Sequence, residues 1–247
     1  VSKLGTVIVT GGSRGIGAAI CRLLGDRGFP VAVNYATQHE AAERVATAIR
    51  KEGGRAACVG GDVSDPRQVH EMFNAAEQAL GPIGGLVNNA GTTGVTARMD
   101  MQEPEALQRL FAVNVFGTMY CAREAVRRMS TGHGGGGGGI VNISSVAARL
   151  GGLSGLAPYA ATKGAVESFT KGLSSEVARE GIRVNAVAPG MTATDMATDD
   201  MREAAKNGGI PMGRIGEAEE IAEAVAWLLS PAASYVTGTV ITVSGGR

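Results

Sequence analysis

Tyr159 and Lys163, in the run Tyr159-Ala160-Ala161-Thr162-Lys163, are the residues whose spacing first suggests chemistry. On a helix, positions i and i+4 share a face, so a phenol and an ammonium would stand one turn apart. A phenol in water titrates near pH ~10, and bringing it to about 7 takes roughly 4 kcal/mol of preferential anion stabilisation. A unit charge about 4 Å away, at an effective dielectric of about 20, supplies roughly that amount. Lys163 could therefore make Tyr159 a proton donor and acceptor at neutral pH. The same spacing is common as a plain surface pair, so its meaning depends on its surroundings.

The elements that must hold this pair follow from the apolar pattern. Short β-branched runs predict strands over 5–10, 31–35, 56–60, 85–89, 140–144, 183–188 and 240–243. Segments of helical period predict helices over 16–26, 40–52, 67–80, 105–129 and 159–179. Strand–helix alternation with near-continuous apolar strands implies a parallel sheet covered on both faces. Right-handed crossovers make a doubly wound sheet the natural solution, an α/β fold in a single domain over 1–247.

Composition removes other classes. Lys plus Arg and Asp plus Glu are 23 each, so no net charge draws nucleic acid or anionic lipid. Aromatics at 4% offer no base-stacking surface. No apolar run approaches about 18 residues and the N-terminus lacks a leader pattern, which predicts a cytoplasmic protein without a membrane span. The first residue, Val1, predicts a processed or trimmed start. Cys21, Cys58 and Cys121 lie far apart in apolar stretches and read as buried free thiols. No metal cluster is evident, and the glycine run 134–139 reads as a flexible loop. His39, His70 and His133 sit in polar settings and read as surface residues.

The run Thr10-Gly11-Gly12-Ser13-Arg14-Gly15-Ile16-Gly17 joins the first strand to its helix. There a doubly wound sheet turns backbone N–H groups and a helix N-terminus toward a dinucleotide pyrophosphate. Its spacing is Gly11-x-x-x-Gly15-x-Gly17, with Thr10 where the G-x-G-x-x-G fingerprint needs its first glycine. A purely tight connection is the alternative reading.

T-G-x-x-x-G-x-G (10–17), N-N-A-G (88–91), Asn114, Ser145, Y-x-x-x-K (159–163) and P-G (189–190) stand in the order and rough spacing of short-chain dehydrogenases/reductases. The chain resembles that family over essentially its whole length. The resemblance implies a Rossmann-type sheet of about seven parallel strands, a homotetramer, and NAD(P)-dependent interconversion of small-molecule alcohols and carbonyls. It also implies residue roles. Gly11, Gly15 and Gly17 would line the pyrophosphate, Asn89, Ala90 and Gly91 the adenosine side, and Ser13, Arg14, Ile16, Asn34 and Tyr35 would also contact the cofactor. Asp62 and Val63 would contact adenine, with helix capping as the alternative for Asp62. Pro189, Gly190, Thr192 and Thr194 match the loop that holds the nicotinamide carboxamide. Met191 and Ala193 carry no assigned role.

NAD selection needs a carboxylate at the end of the second strand to accept from the ribose 2′-OH. That place reads Asn34-Tyr35-Ala36-Thr37, without one. Arg14 could pair with a 2′-phosphate, or be solvated, and the family's second basic residue after Tyr35 is missing. NADP is therefore expected over NAD.

Within the resemblance, Tyr159 is the general acid in reduction and the general base in oxidation, and Lys163 lowers its pKa and holds the nicotinamide ribose. Ser145 would polarise the substrate oxygen. Ser144 is its alternative, since adjacent strand side chains point to opposite faces. Asn114, a poor helix former within Val113-Asn114-Val115, would bend the helix and anchor a proton relay through water; a satisfied buried amide is the plain reading. The segment 191–212, with Asp195, Asp199, Asp200 and Lys206, and with Arg214 just beyond, suits a specificity loop. The chain is similar to glucose-dehydrogenase-like and 3-oxoacyl-carrier-protein-reductase-like members. For the latter, Arg123, Arg127 and Arg128 are candidate docking groups, or a solvated helix face. The stretch 233–243 resembles the C-terminal strand that packs across a two-fold axis. A nucleotide-sensing protein without catalysis is the rival, although such proteins lose the tyrosine or lysine present here.

Overall fold

The computed structural model describes residues 5–193, 203 and 205–247. Its main strands are β1 Thr6–Val9, β2 Val31–Tyr35, β3 Ala56–Gly60, β4 Ile83–Asn88, β5 Gly138–Ile143 and β6 Ile182–Pro189. Two-residue strands β7 Thr192–Ala193 and β8 Gly216–Glu217 precede the last strand, β9 Val240–Val243. The larger helices are α1 Gly15–Asp26, α2 His39–Lys51, α3 Pro66–Leu80, α4 Pro104–Phe111, α5 Gly117–Met129, α7 Ala157–Val177 and α8 Ala218–Leu229, with the short α6 at Ala147–Leu150.

Seven strands form one parallel sheet in the order β3-β2-β1-β4-β5-β6-β9. Strand order therefore reverses between β1 and β4, and ligands of open α/β sheets bind beyond the carboxyl ends at such a point. Val7 and Val9 on one face pack with Ile20 and Leu24 of α1, Val45 and Ile49 of α2, and Ile221 and Val225 of α8. Ile8 on the other face packs with Met72 and Phe73 of α3, Cys121 and Ala125 of α5, and Val177. Period-2 alternation of large apolar residues thus supplies both layers.

Several elements depart from expectation. The helix expected over 105–129 is three pieces: α4, a π-helical segment Ala112–Phe116, and α5. Helix α8 has no counterpart among the expected elements. It opens on a capping box in which the Glu217 and Glu220 side chains exchange bonds with backbone N–H groups, and its apolar positions 218, 221, 222, 225 and 226 keep helical period. The glycine run is a hydrogen-bonded return: Gly135 N donates to Ser130 O (2.8 Å), Gly137 N to Met129 O (2.7 Å), and Gly138 and Gly139 begin β5. A Cβ at Gly135 would lie 2.3 Å from Arg128 O, so the run is a close approach of backbones.

Cys21 and Cys121 are buried, but Cys58 is only half-buried, its Sγ donating to Glu43 Oε2 at 3.2 Å. The three histidines are exposed. Among the described residues no helix is long and apolar enough to cross a membrane.

Candidate active site

The turn after β1 is held by backbone geometry that only glycine accommodates. Gly11 and Gly15 adopt φ of +61° and +53°, and a Cβ at Gly17 would lie 2.3 Å from Gly11 O. Helix α1 therefore begins directly against the turn and aims its unpaired N–H groups into the cleft. Arg14 is exposed at the N-cap, and its side chain makes no capping bond.

Thr10, to which the sequence reading gave no role, fastens this turn to the one after β4. Its hydroxyl accepts from Asn89 N and Ala90 N, both at 3.0 Å. Asn89 Nδ2 donates back to Thr10 O (2.9 Å) and Gly11 O (3.0 Å). Asn34 has a different part from the one expected. It lines the cleft, but its Oδ1 accepts from Gly11 N (3.1 Å) and its Nδ2 donates to Val59 O (3.2 Å) and Gly61 O (3.1 Å). With its polar atoms bonded to backbone, Asn34 braces the glycine turn and leaves little for a ligand. Tyr35 is half-buried, with the His39 ring 5.1 Å from its own.

Asp62 follows β3 and does not cap α3; Asp65 does, accepting from Arg67 N at 2.9 Å. The Asp62 carboxylate instead accepts from Ser64 N, Ser64 Oγ and Arg109 Nη2. Burial would raise its pKa, yet the bonds from Arg109 and Ser64 hold it below the usual carboxylate range.

At the carboxyl end of β5 the two serines separate as strand alternation requires. Both border the cleft, but Ser144 is buried and its hydroxyl donates to Glu167 Oε1 (3.0 Å), whereas Ser145 Oγ accepts from Ala147 N (3.1 Å) and bonds with the Tyr159 hydroxyl. Ser145 is thus the serine turned toward Tyr159. Lys163 is buried and its Nζ donates to Ile143 O at 2.8 Å. Asn114 sits in the π segment, a conformation that concentrates at functional sites. Its Oδ1 accepts from Thr92 N (2.9 Å), while its Nδ2 donates to Thr92 O (2.8 Å) and Thr162 Oγ1 (3.1 Å). A Cβ at Gly91 would lie 3.4 Å from Asn114 Oδ1 and 3.6 Å from Lys163 Nζ, so both atoms border one point.

The electrostatics of Tyr159 correct the simple expectation. Burial pushes the phenol above its ordinary pKa, and a hydrogen bond with Ser145 pulls it back; Lys163 is not among the groups acting on it. Lys163 Nζ stands 5.8 Å from the Tyr159 ring centroid and is bound to Ile143 O. Burial also lowers the ammonium's own pKa from 10.5 to about 8.

These groups border one cleft of about 470 Å³, running from the α1 N-terminus past Asn89, Ala90 and Gly91 to Ser145, Tyr159, Lys163, Pro189 and Gly190. Ser13, Ile16, Asp62 and Val63 also line it; Asn114 and Thr192 do not. Thr192 Oγ1 donates to Gly190 O at 3.1 Å and so supports the loop. Thr194, Asp195, Asp199 and Asp200 lie outside the described residues. A glycine turn that a Cβ would fill, facing a helix N-terminus, suits the pyrophosphate of a dinucleotide.

Arg128 is not a free docking cation. It pairs with Glu77 and the buried Glu124, over the Phe73 ring, and Arg127 also bonds Glu124. Burial alone would raise the Glu124 pKa, but bonds from Arg128, His70 and Arg127 hold it at about 2.

Comparison with known proteins agrees with this geometry. The family model described as enoyl-(acyl carrier protein) reductase matches residues 11–247. An uncharacterized oxidoreductase of Escherichia coli (strain K12), YgfF, is 47% identical, over 97% of this chain and 98% of its own. The 3-oxoacyl-[acyl-carrier-protein] reductase FabG of Staphylococcus aureus (strain Mu50) is 38% identical, over 98% and 97%. A short chain dehydrogenase of Burkholderia cenocepacia J2315, solved in complex with NADP, superposes with a TM-score of 0.91 at 33% identity, covering 100% of this chain and 99% of that one. With its seven-stranded sheet, its glycine turn and its tyrosine–lysine pair at one cleft, this chain belongs to the short-chain dehydrogenase/reductase family, NAD(P)-dependent oxidoreductases that interconvert alcohols and carbonyls.

Proposed function

We propose that the chain is an NADP(H)-preferring alcohol/carbonyl oxidoreductase acting on a small substrate, with Tyr159 as its general acid and base. The observation that carries this is the meeting of Ser145, Tyr159 and Lys163 at the carboxyl end of β5, in the cleft that begins at the α1 N-terminus. The bound dinucleotide supplies the hydride acceptor or donor. Ser145 donates to the substrate oxygen and holds it against the Tyr159 hydroxyl. Tyr159 gives its phenolic proton to that oxygen in reduction and takes it back in oxidation. Lys163, protonated below about pH 8, would hold the nicotinamide ribose of a bound cofactor, whose oxidised, positively charged ring would favour the phenolate. Asn114, bonded to Thr92 O and Thr162 Oγ1, forms the polar wall behind it, where a water held beside Lys163 would take up or return the proton.

NADP preference rests on the missing carboxylate after β2 and on the exposed Arg14 beside it. The family's habits and the C-terminal strand suggest a homotetramer, a single domain and a cytoplasmic setting. Arg128 is held by Glu124 and Glu77, whereas Arg123 and Arg127 keep mostly exposed side chains beside Glu124, so the alternative of a 3-oxoacyl group on an acidic carrier rests on those two. Steady-state kinetics with both cofactors over sugars, diketones and acyl thioesters test the reading. A kcat/KM higher for NADPH, and turnover reduced by about a thousandfold in Tyr159→Phe with cofactor affinity kept, are expected. Retained turnover in that variant refutes the role of Tyr159, and a kcat/KM favouring NADH refutes the preference.

A further inference from the structure

We propose that Arg109 is the positioning residue of the adenine end of the cleft. Its guanidinium fixes the Asp62 carboxylate so that one acceptor site remains for the exocyclic amino group of the cofactor's base. The inference rests on the dinucleotide reading above.

Asp62 Oδ1 accepts from Ser64 N (2.9 Å) and Ser64 Oγ (2.8 Å), and Oδ2 accepts from Arg109 Nη2 (2.8 Å). The other arm of the same guanidinium, Nη1, donates to Ser64 Oγ at 2.7 Å. A carboxylate offers about four acceptor positions, so three are filled and one is left. The closed ring of bonds among Asp62, Ser64 and Arg109 means the carboxylate cannot rotate without breaking more than one of them. Asp62 and Arg109 both border the cleft, together with Val63 and Val113, whose apolar side chains suit the faces of a planar base. The contact also bridges two elements far apart in sequence. Arg109 lies in α4, which runs straight into the π segment carrying Val113 and Asn114, so the same pair sets the width of the slot. The Gly117 position allows the approach from the other side: a Cβ there would lie 2.7 Å from Val63 Cγ2.

A base with an amino donor at the vacant acceptor site is favoured, and one with a carbonyl there meets a carboxylate. The experiment compares the dissociation constants of NADPH and its hypoxanthine analogue, in which a carbonyl replaces that amino group, by nicotinamide fluorescence. Wild type is expected to bind NADPH about tenfold tighter than the analogue, the scale of one hydrogen bond to a charged group. In Arg109→Met the ratio should fall to about two. Arg109→Lys, which keeps the charge but loses the link to Ser64, should lie between them.

If Arg109 only braces α4, its removal weakens both ligands in proportion and leaves the ratio unchanged, which overturns the proposal. A wild-type ratio near one overturns it as well. Should Arg109→Met not fold, a wild-type ratio in Arg109→Lys has the same consequence. A wild-type protein that binds neither dinucleotide would instead remove the oxidoreductase reading.

Discussion

Replacing Lys163 by methionine should make the folded protein more stable near neutral pH, even though it removes a group on which turnover depends. The Lys163 side chain is buried, and its pKa falls from 10.5 to about 8 on folding. A base whose folded pKa is lowered opposes folding wherever it is protonated in the native state. Holding the proton costs roughly 3 kcal/mol at and below neutral pH. Between about pH 8 and 10.5 the unfolded chain binds a proton that the native state has released, so unfolding free energy rises with pH. Wild type should therefore recover roughly 2.5 kcal/mol between pH 7 and 10, a gain that methionine cannot show. Against this, the substitution strips Ile143 O of its donor at 2.8 Å, a loss of about 1–2 kcal/mol. The variant should lead by roughly 1–2 kcal/mol at pH 7 and lose that lead by about pH 9–10. Urea unfolding of both proteins across this range reads the difference, and other titrating groups cancel because both proteins carry them. A difference that stays constant with pH would mean that the ammonium is not desolvated in the fold, and the reasoning fails.

Two further outcomes follow from the geometry. Gly17→Ala should abolish dinucleotide binding, measured by fluorescence titration, because its Cβ would meet Gly11 O at 2.3 Å; binding within about threefold of wild type would contradict the tight turn. Glu124, whose folded pKa of about 2 lies below its ordinary 4.5, contributes stability that is present above pH ~4.5 and disappears as pH falls toward 2. In Glu124→Gln the acid-unfolding curve should lose that dependence, flattening by about 2–3 kcal/mol, and an unchanged curve would count against the buried charge cluster.

What could be read from the sequence divides along physical lines. Strands such as Val31–Tyr35 and Ala56–Gly60, and the glycine turn, depend on short-range periodicity and backbone sterics, and these stood where expected. The π segment was visible only as an asparagine in an awkward place, since the extra residue of the turn is set by Thr92 and Thr162, far away in sequence. The commitments of Asn34 and Arg109, and the pairing of Arg128 with Glu77, are long-range contacts that no local spacing announces, whereas the i, i+4 pair of Glu124 with Arg128 was there to be read. Helix α8 is a different case: its period and its Glu217–Glu220 cap were there to be read. The effect of Lys163 on Tyr159 depends on a separation and a burial that an i, i+4 spacing does not specify.

The packing of α1 against α8 has a consequence for how this protein is made. Ile20 and Leu24 share a core with Ile221 and Val225, and Arg27 pairs with Glu223. At ribosomal speeds of roughly 5–20 residues per second, about two hundred further residues take some ten to forty seconds to emerge. Over that interval the first helix, whose N-terminus completes the phosphate cradle, has an apolar flank with no covering. The cradle thus matures late, and the front of the chain is the part that a nascent-chain chaperone would have most reason to hold.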